Sequence, residues 1–217
     1  VEAGALAKLD RRSLCVLATA TARVGGAPCR AVMRAVAKET IRRCHLKECD
    51  LCPAPLDIGE LFAALALARW NDADAVEALL VRTVGLFDAQ PSTSGLVREK
   101  DICAPGFTAR GAKLTPANFR VGSLATICGA VLELRPEETE FFHDVADLLG
   151  HYAKQRSEVL RRFAGGEASG AVLALAKAFA SAQVFTPSVF DTLRCIGNSR
   201  PSGLSAEVRL RLSDLAA

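Results

Sequence analysis

The chain has 217 residues, of which half are hydrophobic, only 6% are aromatic, and the formal net charge is +3. That length allows one sizeable domain or a short repeat array, and an alanine-rich apolar fraction favours helices packed closely on helices over sheets. No apolar stretch reaches the roughly 18 residues that a membrane span needs; the best one, Gly170 to Phe185, is broken by Lys177 and Gln183.

Four segments follow one plan, in which an Ala/Leu-rich helix is followed by a turn and a second amphipathic helix. The first unit, about residues 5–50, opens with Ser13–Arg23 (SLCVLATATAR), turns at Gly25-Gly26 and continues with an apolar stripe of Val32, Val36 and Ala37. The second, about 55–90, has Glu60–Trp70 (ELFAALALARW) and a helix around Val76. An insertion at 90–113, Gln90 to Lys113, is polar, rich in Pro and Gly and locally basic. A connection of that length is usually functional or disordered, and we expect it to reach a partner. The third unit, about 115–160, starts at Thr115-Pro116, runs through Ser123–Leu134, and places Pro136-Glu137-Glu138 ahead of a stripe of Phe141, Val145, Leu148 and Leu149. Acids suit the first turn of a helix, and Gly150 marks an expected end. The fourth, about 167–200, follows Gly165-Gly166 with Ala171–Ala182, caps its second helix at Thr186-Pro187, and ends near Gly197-Asn198. A terminal helix over 205–216, capped by Ser205, presents Val208, Leu212 and Leu215. Equivalent starts at 12, 59, 122 and 170 are 47, 63 and 48 residues apart, the middle interval holding the insertion. A single hairpin cannot bury its apolar face and stacked hairpins can. The expected fold is therefore all-α: one domain over 1–217, an α-solenoid-like array of about four helical hairpins.

Little points to catalysis. The three histidines, His45, His143 and His151, sit in no metalloprotease motif, and no serine has a nucleophile-elbow context. We expect no enzyme, no small-molecule substrate and no cofactor. Of the eight cysteines, Cys15, Cys128 and Cys195 lie in apolar helical stripes and should behave as small hydrophobes. Cys44, Cys49 and Cys52 form Cys-x4-Cys-x2-Cys beside His45. Thiolates at that spacing can share a zinc ion or an iron–sulfur cluster; the alternatives are a disulfide, between Cys44 and Cys52 or with Cys103 of the insertion, and free thiols.

Charge changes sign along the chain. Residues 1–50 hold ten Lys or Arg against five Asp or Glu, whereas 121–150 hold one against six, so basic patches should lie beside acidic ones. Arg30, Arg34, Lys38 and Arg42 recur every four residues, a spacing that keeps them near one helix face, and Arg43 and Lys47 follow. Such a row suits RNA phosphates, an acidic protein or water. Arg161-Arg162 and the trio Arg200, Arg209 and Arg211 add two further basic points. Aromatics for base stacking are scarce, so backbone contact is favoured over base reading.

The segments LFAALALARW (61–70) and AVLALAKAFASAQVFTPSVFDTLRCIG (171–197) resemble units of organellar helical-repeat proteins of the octotricopeptide and heptatricopeptide type, and the repeats of FAST-kinase-like and RAP-domain proteins. The resemblance implies RNA binding, work in RNA processing or in a ribosome, and a mitochondrial (matrix) or plastid location. The chain begins at Val1, not Met, and we expect a processed or partial product with any targeting segment upstream. The leading expectation is a helical-repeat subunit of an organellar ribonucleoprotein such as a mitochondrial ribosome, touching rRNA and neighbouring proteins. A scaffold subunit of a respiratory or ATP synthase complex, and a small metal-binding protein, stand as alternatives.

Overall fold

Several helices begin in this chain where a side chain accepts from a free N–H of the first turn, or where a proline, which has no N–H to satisfy, stands in it. In the computed structural model, which describes residues 5–46, 50–88, 119–154, 164, 168–199 and 203–216, α1 (Arg11–Val24) is capped by Asp10, whose Oδ1 accepts from Ser13 N at 2.6 Å. The turn into α2 (Ala27–Cys44) is Gly25-Gly26, with φ of +65° and +84°, a conformation that costs a residue with a Cβ. α3 (Pro55–Leu67) puts Pro55 in its first turn and has Asp57 Oδ2 accepting from Ala54 N at 2.9 Å. α4 (Ala73–Asp88) follows Asp72, which accepts from Ala75 N. Then come α5 (Val121–Leu134), α6 (Thr139–Ala153), α7 (Ala168–Ser181), α8 (Pro187–Asn198) and α9 (Ala206–Ala216). Thr186 caps α8 as the Thr-Pro pair predicts, its Oγ1 accepting from Val189 N. Ser205 Oγ does the same for Val208 N in α9. Among the described residues there are nine α-helices and no strand, so the chain is all-α.

The ends of α3 and α7 share a device. Arg69 (φ +48°) and Gln183 (φ +60°) are left-handed, and the following N–H, of Trp70 or Val184, donates 2.9 Å back to the carbonyl five residues earlier. That closes the last turn in a Schellman motif without the usual glycine.

Alternate helices pack in series. α1, α3, α5, α7 and α9 form one row, each touching the next, and α2, α4, α6 and α8 form a second. Buried side chains from both rows make one continuous apolar core. Between the rows at mid-molecule runs a chain of rings: Phe119 edge-on to Phe87 at 5.2 Å, Phe87 to Phe141 at 6.4 Å, Phe141 to Phe142 at 5.8 Å and Phe142 to Phe179 at 6.0 Å. Such rings hold backbones apart, and α6 accordingly rests on α4 and α8 more than on α5. The predicted insertion 90–113, and Thr115-Pro116, lie outside the described residues; its flanks, Phe87 and Phe119, meet in that ring chain.

Candidate nucleic-acid interface

α2 buries Met33, Val36, Ala37 and Thr40 and packs against α1 and α4. Its exposed residues are Ala27, Pro28, Arg30, Ala31, Arg34, Lys38 and Arg42, a face with four cations and no acid. Each four-residue step climbs about 6 Å and turns about 40°, so Arg30, Arg34 and Lys38 span about 12 Å of one gently winding row. Among the described residues, these three have no ion-pair partner. Arg42 is held differently. Its Nε and Nη2 donate to Glu39 Oε2 and Oε1 at 2.9 and 2.7 Å, a fork geometry that leaves less of its charge for an outside phosphate.

Arg43 does not belong to this surface, and the expectation that it contacts RNA is corrected. One residue on from Arg42 is a rotation of about 100°, which turns Arg43 inward to 1% exposure. Its Nε donates to Glu39 Oε1 at 2.6 Å, and its Nη2 donates to the Leu6 and Leu9 carbonyls at 3.0 and 2.7 Å. It therefore pins the short 3-10 turn Leu6–Lys8 onto α2. Glu39, buried between the two arginines, is the member that sequence reasoning missed. Its place three and four residues before Arg42 and Arg43 was a readable signal. Hydrogen bonds from Arg42, then those from Arg43, hold its carboxyl below the usual range.

The other basic points separate. Arg209 and Arg211 are exposed on α9, at the far end of the first row from α1, and Arg211 pairs with Glu207 at 2.7 Å. Lys47, Arg161, Arg162 and Arg200 lie outside the described residues.

Of the cysteine cluster, the structure describes Cys44 and Cys52, with Cys49 outside the described residues. No disulfide joins the two, contrary to the Cys44–Cys52 alternative. Cys44 closes α2, and burial pushes its thiol up to about 12; nearby Arg82 favours ionisation and nearby Cys52 opposes it. Cys52 is buried and its Sγ–H donates to the Leu46 carbonyl at 3.3 Å. Metal ligation needs thiolates, so a zinc or iron–sulfur group here would first have to overcome that burial. Among the described residues no three His, Cys, Asp or Glu side chains are placed to hold a metal. Cys15 and Cys128 are buried, as their apolar stripes imply, and burial raises both thiols. Cys195 is instead exposed on α8, because its stripe neighbours Leu193 and Ile196 point into the core and it falls between them.

A cleft of about 390 Å³ opens where the ends of α3 and α5 meet, lined by Ala66, Arg69, Asn71, Glu133 and Leu134. It brings together a guanidinium, an amide and a carboxylate, with no nucleophile among its lining side chains. Compared with known protein families, with characterised proteins and with solved structures, the chain matches none.

Proposed function

We propose that the protein is a non-catalytic, solenoid-like helical-repeat subunit of an organellar ribonucleoprotein, and that the assembly is a mitochondrial ribosome in which it contacts rRNA and neighbouring proteins. One observation carries the RNA contact: the exposed face of α2 holds Arg30, Arg34, Lys38 and Arg42 without an acid among them. Of these, Arg30, Arg34 and Lys38 have no ion-pair partner among the described residues, and such a row is what a phosphate backbone selects. Three cations without an ion-pair partner among the described residues are also few. Nonspecific RNA contacts of this size are weak alone, on the order of 10⁻⁴–10⁻⁶ M, which suits a subunit held mainly by its protein neighbours. The acidic side chains Glu140 and Asp147, exposed on α6, offer a separate surface to basic partners. The organelle rests on the resemblance of residues 61–70 and 171–197 to organellar repeat units.

Native purification from cell extract, with and without RNase, tests this reading. Ribosomal proteins and rRNA should co-purify, and RNase should release the chain. A protein complex that RNase leaves intact would sink the RNA contact and favour the scaffold alternative.

A further inference from the structure

Three features of the surface bear on which form of RNA this face would take, granted the RNA reading above. The first is the fate of the rings. Phe62, Phe87, Phe119, Phe141, Phe142, Phe179 and Tyr152 are buried, and Trp70, Phe185 and Phe190 are half-buried. Proteins that hold single strands stack successive bases on exposed rings, at about 1–3 kcal/mol per base. None of the described aromatic side chains is fully exposed to serve in this way.

The second feature is rigidity. Arg30, Arg34 and Lys38 stand on one 18-residue helix whose inner face is packed against α1 and α4. Their spacing is fixed before any ligand arrives. A ligand whose phosphates are already fixed loses little freedom on such a template, while a flexible strand must be ordered to match it. The third is what lies between the charges. The other exposed residues of α2 are Ala27, Pro28 and Ala31, so the helix surface between cations is low and apolar. It offers no hydrogen-bonding side chain that would reach a base edge.

We infer that the α2 face docks the phosphate backbone of double-stranded RNA, by shape and charge and without regard to sequence. Arg30, Arg34 and Lys38 each meet a phosphate. Arg42, tied to Glu39, contributes less, and Arg43 contributes only by holding the fold. Duplexes are bound mostly by shape and phosphate contact elsewhere too, and a duplex carries about twice the charge per unit length of one of its strands.

The experiment uses the full chain and fluorescence anisotropy at about 50 mM salt, with an RNA duplex of some 20 base pairs, each of its strands alone, a second duplex of unrelated sequence, and poly-glutamate as an acidic polypeptide. The duplexes should bind alike, within about twofold, and at least about tenfold more tightly than either strand. The logarithm of affinity should fall with the logarithm of salt with a slope near −2.7, about −0.9 for each of three phosphates. Arg34→Glu, checked for an unchanged melting temperature, should cost the duplex at least about tenfold. Strands that bind as well as duplexes, or duplexes that differ by sequence, overturn the duplex assignment while the RNA reading stands. Binding to poly-glutamate with none to either RNA overturns both.

Discussion

Arg34 and Arg43 are the same residue type on the same helix, nine positions apart, and the structure gives them opposite work. Arg34 is exposed with no ion-pair partner among the described residues, and Arg43 is buried with Glu39 and two backbone carbonyls as acceptors. Arg43→Ala would leave the Leu6 and Leu9 carbonyls without this donor and take one of two arginines from a buried carboxylate. Breaking a buried pair this way costs about 3–5 kcal/mol. At about 2–4 °C per kcal/mol for a chain of this size, the melting temperature should drop by roughly 6–20 °C. Arg34→Ala should stay within about 0.5 kcal/mol of the parent. Circular dichroism melts of both variants read this directly, and an Arg43→Ala protein that melts like the parent would refute the pinning role. The four-residue spacing made Arg30, Arg34, Lys38 and Arg42 legible as one face. Including Arg43 failed because adjacent helical residues point about 100° apart, and a buried guanidinium leaves no trace in composition.

The docking of α9 on α8 depends on a missing side chain. Gly197 sits inside α8, and a Cβ built there would overlap the side chain of Leu204, itself 2% exposed in the segment leading into α9. Gly197→Ala should therefore push Leu204 out and loosen α9, at the 1–3 kcal/mol typical of overpacking, although alanine is intrinsically the better helix former. Limited proteolysis near residues 203–206 should become faster in the variant; unchanged cleavage would mean that Leu204 finds room. The sequence places a helix end at Gly197-Asn198, where α8 does end, and another at Gly150, which instead lies within α6, three residues before its last residue. Glycine signals a turn only where the chain needs a positive φ, as at Gly25 and Gly26. α3 begins at Pro55, five residues before the predicted Glu60, because Pro55 and Asp57 supply a start that the Ala/Leu pattern alone does not reveal. Glu137 and Glu138 precede α6, and Glu140 is the acid in its first turn. Periodicity located the helices well because burial enforces it. Their ends depend on single hydrogen bonds, which a pattern does not record.

Serial packing makes stability uneven from the middle of the molecule to its end. α5 lies between α3 and α7 and buries Val121, Leu124, Ile127, Cys128, Ala130, Val131 and Leu134. α9 touches α7 and α8 only from one side, and of its described side chains Leu212 alone is buried, with Val208 and Leu215 half-covered. When units contact only their neighbours, a terminal helix can open without disturbing the rest, while a central one opens only if both flanking interfaces are lost. Local opening free energies in proteins run from near zero up to the global value, following contact density and buried apolar area. Native-state hydrogen exchange should therefore show α3 and α5 amides exchanging at rates set by global unfolding, with α9 amides at least about 100-fold faster. α2 also ends its row, but unlike α9 it is held by α1, by α4 and, through buried Arg43, by the turn Leu6–Lys8, so its amides should exchange more slowly than those of α9 and its cation row keep its spacing. Uniform protection from α1 to α9 would mean that the rows unfold as one cooperative block, and fast exchange in α2 would remove the rigid template on which duplex docking depends.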